Sequence, residues 1–267
     1  MEKLREIAGE LLKSNDVKVV IGYTKGMNNK VTPFFAKKQE DIAKLICGNS
    51  CAQNLAVYLY KKDISDLGKP AIVANIHTLR GIMRLAVEKQ IDKKEMIILA
   101  IDNAGDIQKL DNLSDLENYL SSVIPQLNEE DQQMLDELNR MTPGERMVFW
   151  KQEMKKCIKC YACRQACPLC YCTRCTVEEN QPQWIPVASS VVGNLEWHMM
   201  RAMHLSGRCV ECGQCGKVCP VNIPIHLLPV RIAQEMKTLY GTSTGISLSE
   251  KCDMSTFKPD DKENFIG

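Results

Sequence analysis

The chain has 267 residues, 45% of them hydrophobic, enough to bury one large core or two modest ones, so a folded protein is expected. Lysine and arginine number 34 against 33 acidic residues, a balance that offers no basic footprint for nucleic acid. No apolar run approaches the roughly 20 residues needed to cross a bilayer, and the opening MEKLREIAGELLKSNDVK reads as a charged helix, so no membrane span and a cytoplasmic location are expected.

Taken in order, residues 2 to 14 place Leu4, Ile7, Ala8, Leu11 and Leu12 at helical spacing. VKVVIGY (17 to 23) then reads as a strand, and CAQNLAVYLYKK (51 to 62) as a helix. KPAIVAN (69 to 75) is a buried-strand run, TLRGIMRLAVEKQ (78 to 90) a helix, and EMIILAI (95 to 101) a third strand before the DNAGD turn. Strands separated by helices of this length predict crossover units and parallel strands, hence a small α/β domain over residues 1 to 114. Residues 115 to 156 turn polar and helical and are expected to form a connector, with Thr142 capping a helix whose first residue is Pro143. A last helix is expected within 224 to 240, and residues 241 to 267 lack periodicity and read as an extended tail.

The chain carries 14 cysteines, and only Cys47 and Cys51 precede Cys157. In a reducing compartment such a density points to metal binding over disulfides. Cys157, Cys160, Cys163 and Cys167, followed by Pro168, fit C-x2-C-x2-C-x3-C-P, and so do Cys209, Cys212, Cys215 and Cys219, followed by Pro220. This is the bacterial ferredoxin spacing, in which three thiolates of one loop converge on a four-iron cluster and the fourth ligates the other cluster. Two [4Fe-4S] clusters are therefore expected, one on Cys157, Cys160, Cys163 and Cys219, the other on Cys209, Cys212, Cys215 and Cys167. Paired CxxC also builds zinc sites, but zinc gives no reason for a Cys-Pro three residues after a third cysteine, twice. Two oxidised clusters of about −2 each would move the formal charge from +1 to about −3, with Lys155, Lys156, Lys159, Arg164, Arg208 and Lys217 near the motifs to offset it. Cys170, Cys172 and Cys175 are surplus to this scheme. Their C-x-C-x2-C spacing suits a third iron-sulfur cluster, zinc or free thiols, with Cys51 or Cys47 as the fourth ligand from the N-terminal part.

CIKCYACRQACPLCYCTRC followed by WHMMRAMHLSGRCVECGQCGKVCPVNIPI resembles the iron-sulfur beta subunits of deazaflavin-reducing hydrogenases and formate dehydrogenases. It is most similar to their dicluster relatives in heterodisulfide-reductase-associated and electron-bifurcating complexes of anaerobic metabolism. The resemblance is specific from 157 to 226 and weak over 1 to 110. It implies a helix-flanked, ferredoxin-like dicluster domain over 157 to 240 that passes electrons to flavin or iron-sulfur centres of partner subunits. Two turns depart from those relatives: ANIHTLR (74 to 80) and AIDNAG (100 to 105) lack their cysteines, which argues against an additional N-terminal cluster, although Cys51 keeps its place before NLAVYL. His77 stands where the relatives have a ligand cysteine. Some relatives bind FAD and perform hydride chemistry, whereas no G-x-G-x-x-G turn or P-loop occurs here, so FAD is not expected. His198 and His204 fall on different faces of one helix and are expected to flank clusters, and Met199, Met200 and Met203 to fill a core. No serine-histidine-acid or paired-carboxylate pattern supports a hydrolase, and the expected role is electron relay without a substrate site.

Overall fold

The computed structural model describes residues 1–48, 50–91, 96–102, 104–123, 127–179 and 181–250. Helix α1 (Glu2–Lys13) buries Leu4, Ala8 and Leu11, the spacing read from the sequence, and leads into β1 (Val19–Lys25). Strands β2 (Val31–Ala36), β3 (Pro70–Ala74), β4 (Ile97–Ile101) and β5 (Ile107–Leu110) complete one sheet in the order β2-β1-β3-β4-β5. The pairs β1–β3 and β3–β4 are parallel, while β2 and β5 run antiparallel at the two edges. Centre strands covered on both faces read as continuous apolar runs, as VVIGY and AIVA do. The edges escape that pattern: β2 carries Pro33, which a ladder tolerates at an edge, and β5 is only four residues long.

The helix expected over 51 to 62 is instead a short 3-10 helix (Leu55–Tyr58) and the single turn α2 (Lys62–Ser65). Side chains pin the chain out of the α conformation here. Asn75 Nδ2 donates to Cys51 O at 2.9 Å, Asn54 Nδ2 to His77 O at 2.9 Å, and the Tyr23 hydroxyl to Gln53 O at 2.5 Å. Asn54 Oδ1 meanwhile accepts from Ala56 N. Helix α3 (Ile76–Val87), capped by Asn75, packs against β3, β4 and α4 (Leu113–Ser121).

Two further helices, α5 (Glu129–Arg140) and α6 (Pro143–Lys156), occupy the polar segment. The expected cap of α6 is present as a reciprocal box: Glu145 N donates to Thr142 Oγ1 and Thr142 N donates to Glu145 Oε2. Beyond it come the single turn α7 (Ala162–Gln165), α8 (Val191–His204), the single turn α9 (Gln214–Lys217) and α10 (Leu227–Tyr240). Helix α8 lies against α6 and α10. It buries Asn194, Trp197, His198 and Arg201 and turns Met199, Met200 and Met203 to solvent at 44%, 43% and 48% exposure. The methionines therefore do not fill a core: the inward stripe of α8 is polar because it faces the cysteine loops.

Leu169, Leu205 and Val210 of the cysteine-rich half belong to the same apolar core as the sheet, whereas Trp150, Met154, Trp197, Ile223, Ile225 and Val230 form a second one. Arg80 of α3, 1% exposed, ties the halves together. Its Nε donates to Thr244 O at 3.0 Å, Nη1 to Val210 O at 3.1 Å, and Nη2 pairs with Glu211 at 2.9 Å. The first part of the expected tail is thus docked: Arg84 also pairs with Glu250, and Glu117 accepts from Leu248 N. The rest of that tail lies outside the described residues. Replacing Arg80 by methionine strands two buried carbonyls and frees Glu211, and should cost about 3 kcal/mol in anaerobic denaturant unfolding.

Candidate iron-sulfur centres

Helix α6 ends at Cys157, and the two cysteine loops then repeat one backbone path. Lys159 and Tyr161 take left-handed φ of 52° and 57° between the first three cysteines, and Glu211 and Gly213 take 56° and 67° at the corresponding places. Each path runs into a single helical turn, α7 or α9, and these two turns pack on each other. Left-handed kinks on both sides of the middle cysteine curl each loop, so that its thiols face inward over x2 spacings.

One cavity, about 450 Å³ counting its open mouth, is lined by Cys157, Cys160, Cys163 and Cys219. A second, about 360 Å³ on the same measure, is lined by Cys167, Cys209, Cys212 and Cys215. Each cavity thus receives three cysteines of one loop and the fourth of the other. Among the described residues no three His, Cys, Asp or Glu side chains close on a position that would hold a single ion.

The surroundings suit thiolate clusters. Burial pushes the Cys163 thiol up to about 12 and Cys215 up to about 11, so these sulfurs stay protonated unless a metal takes the proton's place. His198 lines the first cavity with Nε2 3.5 Å from Cys157 Sγ, and burial, with Arg201 and Lys159 behind it, lowers its pKa to about 3. It is therefore a neutral imidazole, able to donate an N–H to sulfur from Nε2. Asn194 Nδ2 donates to Met154 O and Cys157 O, both at 3.0 Å, closing the end of α6 and fixing the first ligand loop. Gln214 Nε2 donates to Ala52 O at 2.8 Å and braces the second loop against the sheet half. His226 lies on Gly216, where a Cβ would come within 2.0 Å of its Nδ1, so only glycine admits the ring beside the second cavity.

Arg201 is the residue that motif spacing missed. It is 5% exposed, lines the second cavity, and donates from Nη2 to Cys163 O at 3.0 Å. Among the described residues it has no carboxylate partner, and its Nε has no hydrogen-bond partner. The charges around it are those of Cys215, Cys167, Cys170 and Cys163. A buried, uncompensated cation among thiols has a physical reason only if those sulfurs carry negative charge. A helix spacing of three or four from His198 and Trp197 was the available signal.

Cys170, Cys172 and Cys175 share a third cavity of about 710 Å³, beside Arg201 and His204. Cys51 does not join them. It lines a separate cleft of about 1210 Å³ at the carboxyl ends of β1, β3 and β4, with Tyr23, His77, Asp102 and Cys212. Cys47 packs against the sheet core. His77 is held near pKa 4 by burial first, then by Arg80 and Lys217.

Residues 156–224 match the model of a 4Fe-4S dicluster domain. Over 101 residues, 38% of this chain and 26% of the relative, the chain is 35% identical to the F420-dependent formate dehydrogenase subunit beta of Methanocaldococcus jannaschii. Over 97 residues, 36% of this chain and 24% of the relative, it is 32% identical to the F420-dependent formate dehydrogenase 1 subunit beta of Methanococcus maripaludis. The chain spans about a quarter of the length of these curated relatives. Among the described residues no helix is long and apolar enough to cross a membrane. The doubled motif, the two four-cysteine cavities and the matched segment agree: residues 156–224 are a 4Fe-4S dicluster domain packed against a five-stranded mixed sheet.

Proposed function

We propose that this chain is an iron-sulfur electron-transfer subunit that relays electrons between two [4Fe-4S] clusters and redox centres of partner subunits in a larger oxidoreductase. The observation that carries the reading is the distribution of the eight motif cysteines over two cavities, three from one loop and one from the other in each. In this reading Cys157, Cys160, Cys163 and Cys219 hold one cluster, and Cys209, Cys212, Cys215 and Cys167 hold the other. Clusters so held supply one-electron carriers at a potential set by hydrogen bonds, charge and solvent exposure.

The protein's own part is to fix eight sulfurs, exclude water and set the local charge. His198 and the left-handed loop amides present N–H groups to the sulfurs, and Arg201 places a cation between the sites. Cys160 is exposed, with Ile158 beside it 61% exposed, so the first site opens to the surface. The second site is covered by the sheet half through Gln214 and Arg80. The first site is accordingly the port to an outside partner. That the named relatives are beta subunits supports work beside other subunits.

A flavin-bearing oxidoreductase subunit with its own hydride chemistry is the second reading. It is favoured by the large cleft at the strand ends, which reaches Cys212 of the second site. One assay separates the readings: iron, sulfide, zinc and flavin on anaerobically purified protein. The relay predicts brown protein with at least about eight irons and equal sulfide per chain and no flavin. Stoichiometric heat-released flavin would replace it with the second reading, and colourless zinc protein would end both.

A further inference from the structure

We infer that Cys170, Cys172, Cys175 and His204 form a third iron-sulfur site, with the histidine at the end of α8 supplying the fourth ligand. The inference rests on the reading of residues 156–224 as iron-sulfur protein and goes beyond its two clusters. All four residues line one cavity, and among the described residues no fourth cysteine does. His204 is the last residue of α8 and is exposed.

Charge does not choose between metals here, because an oxidised four-iron cluster and a zinc ion each give about −1 with three thiolates and an imidazole. The placement of the ligands favours a cluster. Counting its open mouth, the cavity is about 710 Å³, against about 450 and 360 Å³ for the two dicluster cavities. As in those, among the described residues no three ligands close on a single-ion position. A polynuclear cluster needs its sulfurs held apart around a volume, whereas zinc needs them drawn to about 2.3 Å from one point.

The setting receives an anion. Arg201 reaches this cavity as well as the second, with its Nε unpartnered at 5% exposure. Arg164 and Arg208 also line it. Arg164 is held by Glu178 and by the Cys172 carbonyl, at 2.9 and 2.7 Å, and Arg208 by Glu88 at 2.7 Å, so both are fixed in place at its rim. The site also has a neighbour to exchange electrons with. Cys170 N donates to Cys167 O at 3.2 Å, and Cys167 lines the second cavity. Leu169, Arg201 and Leu205 line both cavities, so the third and second sites are neighbours.

Iron, sulfide and zinc counts on the full chain, reconstituted anaerobically with iron and sulfide, test this. About twelve irons per chain are expected, falling to about eight in Cys172→Ser/Cys175→Ser with the paramagnetic signals of the two dicluster centres retained. His204→Ala should lose the third cluster's irons or convert it to a three-iron form seen by electron paramagnetic resonance, and His204→Cys should restore four. Wild-type protein with about eight irons, with or without one zinc, overturns the inference while leaving the two-cluster relay intact. Twelve irons undisturbed by His204→Ala overturn the histidine's role. Absence of iron altogether refutes the relay itself, so the two failures are distinct.

Discussion

Cys219→Ser is expected to remove the same cluster as Cys163→Ser, although 56 positions separate the two residues and Cys215 stands four positions from Cys219. The cavities group them so: Cys163 and Cys219 line one, Cys215 and Cys167 the other. Each single variant should lose about four irons per chain from the dicluster pair. The double variant Cys163→Ser/Cys219→Ser should lose no more than either single, because both substitutions damage one object. Cys163→Ser/Cys215→Ser should lose about eight. Loops that each held their own cluster would reverse the pattern, with Cys219→Ser behaving like Cys215→Ser. Because ligand binding is folding energy in metal domains of this size, the single variants should also unfold at lower temperature.

Arg201→Gln is expected to lower the reduction potential of the cluster held by Cys167, Cys209, Cys212 and Cys215 by on the order of 100 mV. Reduction adds a negative charge, and a buried cation nearby stabilises the reduced form, so removing it favours the oxidised one. A unit charge about 6 Å away at an effective dielectric constant of about 20 is worth about 3 kcal/mol, on the order of 100 mV for one electron. The shift on the first cluster should be smaller, since Arg201 lines the second cavity and not the first. Redox titration followed by electron paramagnetic resonance reads both. Arg201→Lys should recover most of the potential because it keeps the charge. A merely structural role would leave the glutamine and lysine variants alike.

Much of this was legible in the residues. The thiol pattern 157 to 219 and the apolar runs of β1, β3 and β4 are local signals, one a matter of spacing, the other of continuous burial. Thr142 and Pro143 likewise announced the start of α6. What escaped depends on partners distant in sequence. Strand β2 was hidden by Pro33, which only its edge position permits. The segment 51 to 62 has helical composition, but hydrogen bonds from Tyr23, Asn54 and Asn75 override it. Helix α8 carries methionines whose type suggests a core, yet its inward face is chosen by the cysteine loops, so His198 and Arg201 go inside. Cys51 and Cys47 were the N-terminal candidates for the surplus cysteines by elimination, whereas Cys51 lies in a separate cleft beside Asn75 and His77, and His204 lines the cavity of the surplus cysteines.

The most direct test is an anomalous difference map at the iron edge from anaerobically grown crystals of the full chain. The account predicts two four-iron peaks in residues 156–224, one within bonding distance of Cys157, Cys160, Cys163 and Cys219, the other of Cys209, Cys212, Cys215 and Cys167. Single-ion peaks at the zinc edge, or clusters each ringed by the four cysteines of one loop, would contradict it.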